Sequence, residues 1–173
     1  MTSWTAPDIE RQEGPTNSAE HQALKDFLQF HRDTLLFKCA GLTGEQLMVK
    51  SVPTSQLTLL GLVRHLAEVE RWWFRRCFGQ DKELGDLYCT EEYQDGDFDL
   101  AVAENAETDF ATYRREVALA DAVTVGRSLD DTFSGREKEY SLRWVYLHMI
   151  EEYARHNGHA DLLREAVDGS TGE

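Results

Sequence analysis

The stretch that decides the reading is residues 142–165, LRWVYLHMIEEYARHNGHADLLRE. It contains no proline, and Ser141 before it suits an N-cap. At about 100° of rotation per residue, with Glu152 as the reference direction, His156 lies about 40° to one side and His148 about 40° to the other. His159 falls between them, and Val145 and Leu163 point the same way. One face of a long helix therefore carries core residues together with four groups able to bind a metal ion. The helix-breaking DGSTGE tail ends it near Val167.

The rest of the chain extends this pattern. Only three prolines occur in 173 residues, which favours long uninterrupted helices because proline disrupts a helix interior. A second long helix starts near Thr58 and ends at Gly79, with an inward stripe of Leu62, His65, Leu66, Val69, Trp72 and Trp73. A first helix follows a capping-box-like Asn17-Ser18-Ala19-Glu20, places Leu24, Phe27, Leu28, His31 and Leu35 on one side, and stops before Gly41. Asp99 is a candidate cap for a third helix, with Val102, Ala106, Phe110, Tyr113 and Val117. Residues 81–98, acidic and aromatic, read as a loop long enough to cover a site, and residues 123–140 read as a polar connection. The pattern predicts an all-α chain, a four-helix bundle over residues 18–173 preceded by a flexible arm at residues 1–17 that holds Pro7 and Pro15.

Charge narrows the partners. Against 18 basic residues stand 32 acidic ones, a net charge of −14. A nucleic-acid binder concentrates Lys and Arg to displace counterions from phosphates, so nucleic acid is not expected, nor is an anionic membrane surface. No apolar run reaches the length of about 20 residues that a spanning helix needs, and the N-terminus lacks the pattern of a signal peptide. Cys39, Cys77 and Cys89 are an odd, widely spaced set without a CxxC. They read as reduced thiols of a cytoplasmic protein, inert unless one is activated.

Polar groups on a buried stripe need partners, since an unpaired one costs about 1–3 kcal/mol. A shared metal ion would satisfy several at once. His148 and His156 are about 12 Å apart along the helix axis, too far to bind one ion. Three pairs remain workable: His148 with Glu152, Glu152 with His156, and His156 with His159. A third ligand must come from another element. His65 is the candidate, His31 is the competing inward histidine, and His21 sits near a helix start. The plainer alternative is a hydrogen-bonded core histidine and a solvated Glu–His pair.

Residues 61–76, GLVRHLAEVERWWFRR, and residues 142–165 resemble the DinB-like metalloprotein superfamily, in particular a small actinobacterial branch of unknown function. The GLTGEQL segment near residue 41 and the C-terminal DGSTGE fit that branch too, and the resemblance covers most of the chain from about residue 18. It implies a four-helix bundle in up-down-down-up order, often a homodimer, with a three-ligand site for a divalent metal, commonly zinc or nickel. The superfamily's histidine on the second helix matches His65. On the last helix it has His or Glu, then a histidine four residues on, within a run like HRGQ; these fall on Glu152 and His156, which selects the second pair. Many relatives have His at the first of these positions. A related mycothiol-dependent maleylpyruvate isomerase carries His, Glu, His, so the change is compatible with metal. His159 replaces a common Gln.

The resemblance further implies thiol-dependent transferases or isomerases, in which mycothiol or a similar thiol attacks a small electrophilic substrate. His148, His159 and Tyr153 are candidate proton carriers or supports of the ligands, and Arg143 and Arg155 candidate anion contacts. The alternative is a metal- or ligand-binding helical protein without turnover.

Overall fold

A computed structural model describes residues 4–135 and 137–172. The chain is mostly helical. In order, α1 spans Glu20–Cys39, α2 Gly44–Leu47, α3 Leu59–Glu70, α4 Gly96–Asp99, α5 Ala106–Thr124 and α6 Leu142–Asp168. A two-stranded antiparallel hairpin, β1 Thr132–Gly135 and β2 Lys138–Ser141, precedes α6. The hairpin departs from the all-α expectation, which had only a polar connection here. Its alternation is short, but it pairs Phe133 with Tyr140, and Phe133 is buried beside Phe78.

Two helix starts follow their side-chain chemistry. The Thr58 hydroxyl accepts from Gly61 N–H, and the Ser141 hydroxyl accepts from Trp144 N–H. Two others differ. The capping box expected at residue 17 does not form, and α1 begins after Ala19 with no side-chain cap. Asp99 ends the short α4 instead of capping the third long helix, which the chain enters through a 3-10 turn at Ala103–Asn105. Along the N-terminal segment, Ala6 is buried and exchanges backbone hydrogen bonds with Gly41 and Leu42, and Trp4 meets the Phe110 ring edge-on.

Contacts fix how the long helices run. Glu20 pairs with Arg143, Asn157 bonds His31, and Lys38 pairs with Asp161, so α1 and α6 run in the same direction. Arg64 pairs with Asp109 and Arg71 with Glu116, so α3 and α5 also run together. His65 lies against His156 while Trp73 lies against His148, so α3 runs opposite to α6. Leu28, Leu35, Leu62, Leu66, Tyr113, Val145, Met149 and Tyr153 fill the space between them.

After Glu70 the helix widens into π-helical turns, Arg71–Phe78. Such turns insert an extra residue per hydrogen-bonded ring and re-aim the side chains beyond them. Trp72 and Trp73, adjacent in sequence and both expected inward, separate. Trp73 joins a cluster with Tyr140, Trp144 and His148, and Trp72 lies under the Arg76 guanidinium. Phe74 and Phe78 take the core positions.

Charge is also buried. Arg32 grips Glu70 with two bonds of 2.7 Å and reaches Asp121 at 2.9 Å. Tyr153 donates to the same Glu70 carboxylate at 2.8 Å, and Tyr113 lies 2.9 Å from the Tyr153 hydroxyl. Breaking such a pair on one side only is costly, because the surviving charge stays in the core. Among the described residues no helix is long and apolar enough to cross a membrane.

Candidate metal centre

Antiparallel packing of α3 on α6 brings His65 to Glu152 and His156. One ligand atom from each lies within 4.8 Å of the other two, and all three residues are partly buried. The His65 and His156 rings meet edge-on with centroids 4.7 Å apart, and His156 Nε2 is 3.4 Å from Glu152 Oε2. The other inward histidine, His31, is elsewhere, with its backbone carbonyl accepting from Asn157 at 3.0 Å. His21 packs on Tyr146.

The far ring nitrogen of each histidine has its own partner, and the carboxylate of Glu152 has His148 nearby. His65 Nδ1 is 2.7 Å from Asp97 Oδ2, so Nε2 is the nitrogen left for a ligand bond. His156 Nδ1 is 3.3 Å from His159 Nδ1. The second oxygen of Glu152, Oε1, is 3.6 Å from His148 Nε2. Metal-binding histidines characteristically have their second nitrogen engaged in this way, which fixes the tautomer and the ring direction. His156 is also prepared to be neutral: burial, then the nearby His65, His159 and Arg155, lower its pKa to about 4. A neutral imidazole is the form that ligates.

A second group, His148 with Glu151 and Glu152, also lies close together. All three come from one helix, Glu151 is paired to Arg155, and the His148 ring is stacked on Trp144 with centroids 4.8 Å apart. It has no ligand from a second element, whereas His65, Glu152 and His156 come from two.

Asp97 was not visible from the sequence. It is 32 residues from His65, in the segment read as a covering loop, and only 3% exposed. α3 fastens that segment with three side chains, Arg64, His65 and Glu68. Arg64 donates to the carbonyls of Asp97 at 2.8 Å and Gly96 at 2.9 Å, while its guanidinium covers the Tyr88 ring. His65 holds the Asp97 carboxylate. Glu68 accepts from Leu87 N–H at 2.9 Å and Tyr88 N–H at 2.7 Å. Gly61 leaves room for the Phe98 ring, where a Cβ would intrude.

Several expected helpers take other roles. Tyr153 is fully buried and turned to Glu70; burial, then the Glu70 charge, raises its pKa well above the usual phenol value. It is part of the core network around Glu70. Arg143 is paired with Glu20 and Asp130, and Arg155 with Glu151. Burial pushes the thiols of Cys39 and Cys89 up to about 12, so both stay protonated near neutrality.

The comparison that bears on this chain is with a family of the DinB-like superfamily. The family model described as mycothiol-S-transferase matches residues 23–169, and the chain belongs to that family. No curated protein and no solved structure matches it.

Proposed function

We propose that this chain is a metal-dependent mycothiol S-transferase, with a divalent ion, zinc or nickel, held by His65, Glu152 and His156. The supporting observation is that the three residues converge from two helices while Asp97 and His159 hold the far ring nitrogens of His65 and His156. Two imidazoles and a carboxylate are a donor set that suits zinc or nickel and leaves a coordination position open. Under the same reading the four long helices form a DinB-like four-helix bundle in up-down-down-up order over residues 18–173.

When bound, such an ion acts as a Lewis acid that favours the thiolate form of a thiol at neutral pH. The chain's own groups set the stage for that. Asp97 accepts from His65 and keeps its free nitrogen facing inward. The low basicity of His156 keeps its ring unprotonated. Cys39 and Cys89 remain thiols, so neither is poised as a nucleophile, and on this reading the cosubstrate supplies the reacting sulfur. In the transfer, mycothiol gives up its S–H proton to solvent, its sulfur forms a bond to the electrophilic carbon, and the bond from that carbon to the leaving group breaks, the leaving group departing with the electron pair as an anion.

The test is consumption of a haloaromatic electrophile by zinc- or nickel-loaded protein. The reading expects turnover that requires both mycothiol and metal. Stoichiometric metal without turnover over a panel of electrophiles would instead favour a non-catalytic binding protein.

A further inference from the structure

Beside the three proposed ligands, the most fully built feature is the attachment of the 81–99 segment to α3. Asp97 is nine-tenths buried or more, yet it is an acidic residue on a connecting segment. One carboxylate oxygen, Oδ2, meets His65 Nδ1 at 2.7 Å, and the other, Oδ1, accepts from Phe98 N–H at 3.0 Å. Its backbone carbonyl is held by Arg64 Nε. Gly96, just before it, has room for no side chain, because a Cβ would collide with the Tyr88 carbonyl oxygen. The Phe98 ring, just after it, lies 5.6 Å from the His65 ring and fills the space left by Gly61. The segment is therefore pinned on both sides of the residue that hydrogen-bonds a proposed ligand.

We infer that Asp97 is the positioning residue for His65, and that through it metal binding and the docking of the 81–99 segment are reciprocally coupled. This rests on the metal reading above. The physical basis is direct. A histidine that ligates through Nε2 carries its proton on Nδ1, and a buried carboxylate at 2.7 Å is a strong acceptor for that N–H. It fixes the tautomer and the direction of the ring. Metal binding draws density from the ring and makes the N–H a better donor, so the bond to Asp97 tightens. Linkage then requires that whatever docking contributes to metal affinity, metal contributes to docking.

Two variants of the full chain test this: Asp97→Ala, which removes the acceptor, and Asp97→Asn, which keeps the shape and an amide oxygen but loses the charge. Zinc affinity is measured by competition with a chromogenic chelator, with helicity checked by circular dichroism. Limited proteolysis at Lys82 and neighbouring exposed sites is followed with and without zinc. Asp97→Ala should bind zinc about 10–100-fold more weakly, the range typical for loss of an outer partner. Asp97→Asn should lie between it and the wild type. Zinc should slow cleavage of the segment in the wild type and do so less in both variants.

Equal affinity of all three proteins overturns the inference while leaving the metal reading intact. A folded wild type that binds no zinc or nickel overturns the metal reading and the inference with it. If Asp97→Ala does not fold, Asp97→Asn decides: wild-type affinity and unchanged zinc protection count against the coupling.

Discussion

Removing one oxygen atom separates a structural role for Tyr153 from a catalytic one. Tyr153 comes directly after a proposed ligand in sequence, and a tyrosine beside a metal site invites a proton-transfer role. Its side chain points the other way. It is fully buried, donates to Glu70 at 2.8 Å and meets the Tyr113 hydroxyl at 2.9 Å. In Tyr153→Phe, Glu70 keeps both Arg32 bonds but loses a charge-assisted donor, and Tyr113 loses its nearest polar neighbour. A buried hydrogen bond to a charged group is worth about 1.5–3 kcal/mol. For a chain of this size each kcal/mol shifts Tm by about 2–4 °C, so a fall of about 3–12 °C is expected. Differential scanning calorimetry with metal analysis on the same samples is the assay. The variant should melt earlier and keep its metal and its turnover. A variant that melts like the wild type but has lost turnover would refute this assignment and restore Tyr153 as a proton carrier.

Two further outcomes are set by the geometry. The folded pKa of His156, about 4, lies below the value of about 6.5 for an unfolded chain, because burial and the neighbouring His65, His159 and Arg155 disfavour the imidazolium. Between these values the unfolded state binds the extra proton, so chelator-stripped protein loses stability as pH falls through that window and regains it as pH rises. Urea midpoints taken between pH 4.5 and 7 should climb with pH in the wild type and climb less in His156→Asn; an identical slope in the two proteins would count against it. Gly96→Ala sets a Cβ against the Tyr88 carbonyl oxygen and so should loosen the 81–99 segment. Faster proteolysis there, with little change in helicity, is the expected result, and wild-type resistance would contradict it.

Spacing made the helices and half of the site legible in the sequence. A 3.6-residue period puts Glu152 and His156 on one face whatever the rest of the chain does, and His65 lies on an equally clear stripe. Which two stripes meet depends on topology, and only the antiparallel run of α3 and α6 brings His65 to His156. Asp97 had no local signal. Its role comes from a contact 32 residues away, within an acidic run where one buried carboxylate looks like its solvated neighbours. The hairpin was hidden because four-residue strands give too little alternation to show. The π-helical turns leave no mark in the sequence, because the 3.6-residue period runs on through Trp72 and Trp73 without a proline or glycine to interrupt it. Tyr153 was misplaced for a related reason: adjacency in sequence to Glu152 puts it about 100° round the helix, facing Glu70.

The central claim is that His65, Glu152 and His156 together hold one divalent ion. Metal content by mass spectrometry, on protein dialysed after loading with zinc or nickel, tests it most directly. The account expects about one ion per chain in the wild type and in His31→Ala, and loss of it in His65→Ala, Glu152→Ala and His156→Ala. Folded single variants at these three positions that keep a full complement of metal would contradict it.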